Sequence, residues 1–265
     1  MKYIKPYKIF ENISNYFPTT REEVVEVCIK FEIINYTIND DLSIDVDGDV
    51  DMANKGISSL PIKFGKVSGD FACESNYQFF TLEGCPYEVG GSFSCNTNEL
   101  FSLRGCPKII GIDFDCGYCP IDSLEGCPET VGGNFYCEHS GIESLEYMTK
   151  NIGGSVILNM NEIKSFKGCP DSIFGNLYIS DNNITDLEYI PNVSDYIHLQ
   201  RNPVHSIVSS FIIKGDDMLI EDFQDYDIII DNKSINLFRL ENFFKDFNLP
   251  MPDLKEIKKH YKIIE

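Results

Sequence analysis

Apolar side chains along this chain recur with one long, steady period, and that period predicts its elements. Residues 89–131 show it twice over, reading VGGSFSCNTNELFSLRGCPKI and then IGIDFDCGYCPIDSLEGCPET. Phe93 matches Phe114, Cys95 matches Cys116, Leu100 matches Ile121, Leu103 matches Leu124, and Gly105-Cys106-Pro107 matches Gly126-Cys127-Pro128. Each copy starts from a small apolar anchor: Val46, Val67, Val89, Ile110, Val131, Ile152, Ile173 and Val193. The anchors are 21 or 22 residues apart, with a last step of 20. Repetition at about 20–50 residues marks a solenoid, in which each unit buries its apolar face only against its neighbours.

Four residues beyond the anchors stand Val50, Phe71, Phe93, Phe114, Phe135, Val156, Leu177 and Ile197. Six beyond stand Met52, Cys73, Cys95, Cys116, Cys137, Leu158, Ile179 and Leu199. This alternation predicts one short strand per copy with these side chains inward. Nine beyond, Asn recurs at Asn76, Asn98, Asn161, Asn182 and Asn202, with Cys119 and Ser140 in its place in two copies. An amide there can satisfy backbone groups where the chain leaves the strand, forming a ladder between coils. The closing Leu-x-Gly-Cys-Pro segment predicts turns or short 3₁₀ pieces where a long helix would otherwise sit.

Written as F-x-C-x-x-N-x-L-x-x-L, the unit resembles the leucine-rich-repeat signature over residues 46–210, in eight copies. The resemblance implies an α/β-type leucine-rich-repeat solenoid, mostly β and turns, with short parallel strands on a concave face. At about 4.8 Å per strand, one sheet of roughly 40 Å follows. Residues 1–45 are expected to form an N-terminal cap. Its helix opens at Thr19-Thr20-Arg21-Glu22-Glu23, and a hairpin runs through Tyr36, Ile38, Leu42, Ile44 and Val46. Residues 211–265 are expected to form a mainly helical C-terminal cap. It contains a strand over 226–230, a helical face over 235–247 and a basic helix over 253–263, with Gly215 as a break. The stretches Asp45-Val46-Asp47-Gly48-Asp49-Val50 and Leu60-Pro61-Ile62-Lys63-Phe64, the Gly-Cys-Pro repeats and Asn202-Pro203 together resemble a family of leucine-rich-repeat proteins common among bacteriophages. That resemblance implies a viral origin and a bacterial host cytoplasm as the working compartment.

Charge narrows the partners. The net charge of −20 disfavours direct binding to nucleic acid, where phosphates would have to be neutralised, and favours a basic protein. No apolar run approaches the roughly 18 residues of a membrane span. The opening MKYIKPYKIFENISNYF lacks the continuous apolar segment of a signal peptide, so a cytoplasmic protein is expected.

Eight of the ten cysteines fall at repeat positions that are core slots, Cys73, Cys95, Cys116 and Cys137 on the strand and Cys85, Cys106, Cys127 and Cys169 before Pro, which predicts small buried hydrophobes and a reducing compartment. Cys116-x-x-Cys119 imitates half of a zinc or redox motif, but Cys119 occupies the Asn slot. Asp45-x-Asp47-Gly48-Asp49-x-Asp51 resembles a calcium loop and lacks its Gly at position six and Glu at position twelve. His139, His198, His205 and His260 lie beside no Ser or Cys nucleophile in the repeat phase. The Gly-Gly pairs at 90–91, 132–133 and 153–154 precede strands, whereas phosphate loops precede helices. No catalytic, metal or cofactor site is expected. An enzyme would need an apolar cleft between the array and the tail.

Alternation puts the third, fifth and seventh residues after each anchor on the exposed face. The candidate protein-binding residues there are Asp49, Asp51, Asp70, Glu74, Asp113, Asp115, Tyr136, Glu138, Tyr178, Tyr196 and His198, with Arg201 on the rim beside Tyr118 and His139. The face should run from acidic to aromatic along the array. The expected function is a protein–protein interaction module. It would grip a basic, or nucleic-acid-binding, host protein through acids that steer and tyrosines that anchor. The alternative is a structural spacer whose face meets no specific ligand.

Overall fold

The computed structural model describes residues 17–211, 217–231 and 233–264. Over the array the chain winds as a β-solenoid. Each coil carries two short strands, separated by the corner that holds the Gly-Gly pairs. The second strands, beginning at the fourth residue after each anchor, form an eight-stranded face sheet from Val50–Asp51 to Ile197–His198. All neighbours are parallel and in register, so Phe71 pairs with Phe93, Phe93 with Phe114, and Phe114 with Phe135.

The first strands end on the anchors and form a separate anchor sheet. It opens with an antiparallel pair, Tyr36–Ile38 with Ile44–Val46, the hairpin that the sequence predicts. It continues in parallel through Phe64–Val67, Glu88–Val89, Ile109–Ile110 and Thr130–Val131 to Asn151–Ile152, while Ser172–Ile173 and Asn192–Val193 pair apart from it. One strand per coil is therefore corrected to two. A two-residue strand contains no alternation to read, so the anchor positions signalled burial without signalling a sheet.

The corner glycines explain how tightly the coils stack. A Cβ on Gly132 would stand 2.1 Å from the Gly111 carbonyl oxygen, a distance no side chain tolerates. The anchor sheet breaks after Asn151–Ile152, at the coil where Phe174 replaces this glycine and stands 70% exposed. In the Gly-Cys-Pro turn, Gly126 has φ +96°, and a Cβ there would meet the Leu103 carbonyl at 2.6 Å. On the far side the chain makes turns without 3₁₀ helix.

Inside, the phenylalanines stack coil upon coil. Ring centroids lie 5.6 Å apart for Phe71–Phe93, 6.1 Å for Phe93–Phe114 and 5.3 Å for Phe114–Phe135. Cys73, Cys95, Cys116 and Cys137 are fully buried beside them, and all ten cysteines are free thiols. Burial pushes Cys127 and Cys169 up to about 12, so these thiols stay protonated and pack as apolar groups.

Helix α1, Arg21–Lys30, precedes the array. Thr20 Oγ1 accepts the Glu23 N–H, Glu23 Oε2 accepts from Thr19, and Val24 and Cys28 are buried. Helix α2 (His205–Val208) ends the last coil, and after it come α3 (Asp217–Asp225), a strand Ser234–Asn236, α4 (Leu237–Asp246), α5 (Leu254–Ile257) and a strand Lys262–Ile264. Phe211, Phe223, Phe243 and Phe244 pack ring on ring there. Tyr261 Oη donates to the Thr185 carbonyl at 2.7 Å, tying this region to the array.

Three tail expectations are corrected. Residues 226–230 form only a bridge, Ile229 to Ile235. Ile235 lies in a strand, pairing in parallel with Ile263. The basic helix shrinks to four residues, since β-branched Ile263 and Ile264 pair with Ile235 and Asn236 in a strand. Gly215 lies outside the described residues. No helix among the described residues is long and apolar enough to cross a membrane.

Candidate binding face

The face sheet sets its outward residues side by side, one coil apart. At the fifth position after the anchors run Asp51, Ala72, Ser94, Asp115, Tyr136, Ile157, Tyr178 and His198. Asp51 is exposed and the others are half-buried. Tyr178 and His198 stack flat, with ring centroids 4.4 Å apart and planes 4° from parallel, and Tyr196 lies 6.4 Å from His198.

The third-position residues have a second occupation. Asp49 Oδ1 accepts the Asp70 N–H at 2.8 Å, and Asp70 Oδ1 accepts the Ser92 N–H at 2.7 Å. Ser92 Oγ takes the Asp113 N–H at 3.4 Å, and Asp113 Oδ1 takes the Asn134 N–H at 2.6 Å. Asn134, Ser155 and Asn176 then pass the pattern on to the amide of Tyr196. Seven bonds thus join eight coils, and one carboxylate oxygen of Asp49, Asp70 and Asp113 is engaged in each case. Alternation reads such outward residues as free. The signal that could have revealed the ladder was in the column itself, where every member before Tyr196 is a short side chain with an acceptor oxygen.

The ninth-position ladder expected from the sequence runs in the interior. Asn76 Nδ2 donates to the Met52 and Cys73 carbonyls, and Asn98 Oδ1 accepts the Asn76 N–H at 2.8 Å. Cys119 takes the same part with sulfur, accepting the Asn98 N–H at 3.4 Å and donating to the Cys95 carbonyl at 3.3 Å. Burial pushes its thiol up to about 12, which keeps the donor proton in place.

At the seventh position, Glu74 and Glu138 each carry one carboxylate oxygen that is buried without a hydrogen-bond partner among the described residues. The Glu138 carboxylate folds over Gly117, 3.3 Å from where a Cβ would stand. Burial raises the Glu138 carboxyl, and the Asp115 charge adds to it. Burial likewise raises Asp115, opposed by hydrogen bonds from Gly117 and Asn96. The Tyr136 phenol is raised by burial and then by Asp113.

The eighth position forms the rim, and all eight of its residues adopt the left-handed conformation. Asn54, Ser75, Thr97, Tyr118, His139, Met160, Asp181 and Arg201 have φ between 52° and 63°. Asn tolerates that region, whereas bulky side chains such as Tyr and Met resist it. Tyr118 and Met160 nonetheless stand there about half exposed, at 54% and 49%. Tyr118 and His139 bring their rings within 5.3 Å, and Arg201 pairs with Asp181 at 2.6 Å.

Of the twelve candidate residues, Asp51, Asp115, Tyr136, Tyr178 and His198 share one row, and Glu74 and Glu138 lie in the row beside it. Asp49, Asp70 and Asp113 bind backbone, Tyr196 ends their ladder, and Arg201 is ion-paired on the rim. No three His, Cys, Asp or Glu side chains among the described residues come together as a metal would require. Comparison of the chain with protein-family models, curated proteins and solved structures finds no match.

Proposed function

We propose that the chain is a leucine-rich-repeat-type solenoid, closed at its ends by the flanking helical segments, that binds a basic protein through its face sheet. The observation that carries this reading is the fifth-position row, acidic at Asp51 and Asp115 and aromatic or apolar from Tyr136 through Ile157 and Tyr178 to His198. Carboxylates steer a cationic partner, and rigid rings give contact area at low entropic loss. The rim supports it. Holding Tyr118 and Met160 at positive φ costs about 1 kcal/mol each relative to Asn or Gly, and such strain collects where a side chain has work to do. The resemblance to bacteriophage proteins extends the proposal to a host cytoplasmic target, which the protein would modulate or inhibit. A structural spacer is the second reading, favoured by the engagement of Asp49, Asp70 and Asp113 with backbone.

Near-isosteric changes separate the two. The set Asp51→Asn, Asp115→Asn and Glu138→Gln removes charge at nearly constant shape, giving up one of the two hydrogen bonds that Asp115 accepts, and Tyr118→Asn with Met160→Asn relieves the rim. Proteins captured from bacterial lysate on the wild-type chain are identified by mass spectrometry, and affinity for the captured protein is then measured with each set. The binding reading expects at least a tenfold loss with either set, together with an unchanged or higher melting temperature for the rim pair. The spacer reading expects no protein whose affinity depends on these residues.

A further inference from the structure

The turn of the seventh coil, residues 186–189, meets the tail across a cleft of about 440 Å³. The opposite wall is Phe223, Gln224 and residues 227–230. Gln224 Nε2 donates to the Leu187 carbonyl at 2.7 Å and ties the walls together. Leu187, Phe223 and Ile228 are buried beneath it, while Ile229 is half-buried in its wall and Tyr189 and Ile230 are exposed at its mouth. A cleft of roughly 300–1,000 Å³ between two parts of a fold is a common place for a small ligand.

Its charges all have one sign. Asp186, Glu188 and Asp227 line it, and no basic residue among the described residues does. Arg239 takes up Asp227, with Nη1 2.9 Å from its carbonyl and 3.7 Å from its carboxylate. Asp186 and Glu188 have no ion-pair partner among the described residues. Asp186 is only 6% exposed. Its Oδ1 accepts the Glu188 N–H at 2.9 Å, but among the described residues Oδ2 has only the Thr185 hydroxyl at 3.5 Å, the outer limit of a hydrogen bond. Burial raises its carboxyl, and its charge in turn adds to the burial that raises the Tyr261 phenol. A buried carboxylate with a spare acceptor and no countercharge is stabilised by a cation that brings its own donors.

We propose that this cleft binds a small organic cation, a primary amine on an apolar body, with its ammonium on Asp186 and its body against Tyr189, Ile229 and Ile230. The site uses none of the face residues and stands whatever the face binds. The test titrates the full chain with hexylamine, hexan-1-ol and hexanoate, following backbone amide resonances. Hexylamine should bind saturably, shifting Leu187, Gln224 and Ile228, with hexan-1-ol at least tenfold weaker and hexanoate not binding. Asp186→Asn retains the acceptor for the Glu188 N–H and should weaken hexylamine at least tenfold. Ile230→Lys sets an ammonium at the exposed mouth, should do the same by repulsion, and decides the matter if the Asn variant misfolds. Equal binding of hexanoate or hexan-1-ol, shifts that never saturate, or hexylamine binding indifferent to the folded variants would overturn the proposal.

Discussion

At the ninth position Asn76, Asn98, Asn161, Asn182 and Asn202 are at most 7% exposed, whereas the third-position Asp49, Asp70 and Asp113 are exposed or half-buried. Both columns take a backbone N–H from a neighbouring coil, and they do so under different solvents. In the interior no water can replace a lost partner, so one small group must both donate and accept without carrying charge. Asn does this, Cys119 does it with sulfur, and the Ser140 hydroxyl supplies the donor. On the face only an acceptor is required. Asp, Ser and Asn therefore interchange, and a charge is tolerated because water still reaches it. The comparison teaches that outward aspartates in a solenoid can be structural, and that their charge is incidental to the bond they make.

Substitution should separate the ladders sharply. Asn182→Leu would strand the Ile163 N–H in the interior and take one of two donors from each of the Leu158 and Ile179 carbonyls, which Asn161 and Asn202 still reach. At about 1–3 kcal/mol for the unpaired N–H and about 1 kcal/mol for the bonds lost to the carbonyls, the expected loss is about 2–4 kcal/mol, read as a lower denaturant midpoint at unchanged slope. Asp113→Ala removes the acceptor for Asn134 where water can substitute, so the same measurement should give about 0.5–1.5 kcal/mol. Asp113→Asn keeps the acceptor, as Asn134 and Asn176 do in their own coils, and should change stability by less than about 0.5 kcal/mol. Equal losses for Asn182→Leu and Asp113→Ala would erase the distinction. A large loss for Asp113→Asn would mean that the charge matters after all.

The array was legible because its signals are redundant. Eight anchors in phase, paired Phe and Cys positions and the Asn column each point to stacked coils, and Cys119 could be assigned to the ladder from its slot alone. The anchor sheet was not legible, since strands such as Glu88–Val89 are too short to carry a period. The outer ladder escaped because alternation reports which way a side chain points and says nothing of what it bonds. The eighth-position backbone was hidden for a related reason. Left-handed φ is signalled by Gly or Asn, and Tyr118, His139 and Met160 advertise neither. In the tail no repeat constrains the reading, and local helical periodicity around Ile235 lost to a strand pairing with Ile263 that is 28 residues distant in sequence (263 − 235).

Amide hydrogen exchange resolved by residue tests most directly that the face aspartates hold the coils together. The backbone N–H groups of Asp70, Ser92, Asn134, Ser155 and Asn176 sit on the solvent-facing side of the array, yet each donates to a side chain one coil away. The account predicts strong protection at all five, with that of Asn134 falling toward the local average in Asp113→Ala and persisting in Asp113→Asn. Exchange of these amides at the rate of a free peptide, or protection of Asn134 indifferent to Asp113→Ala, would contradict it.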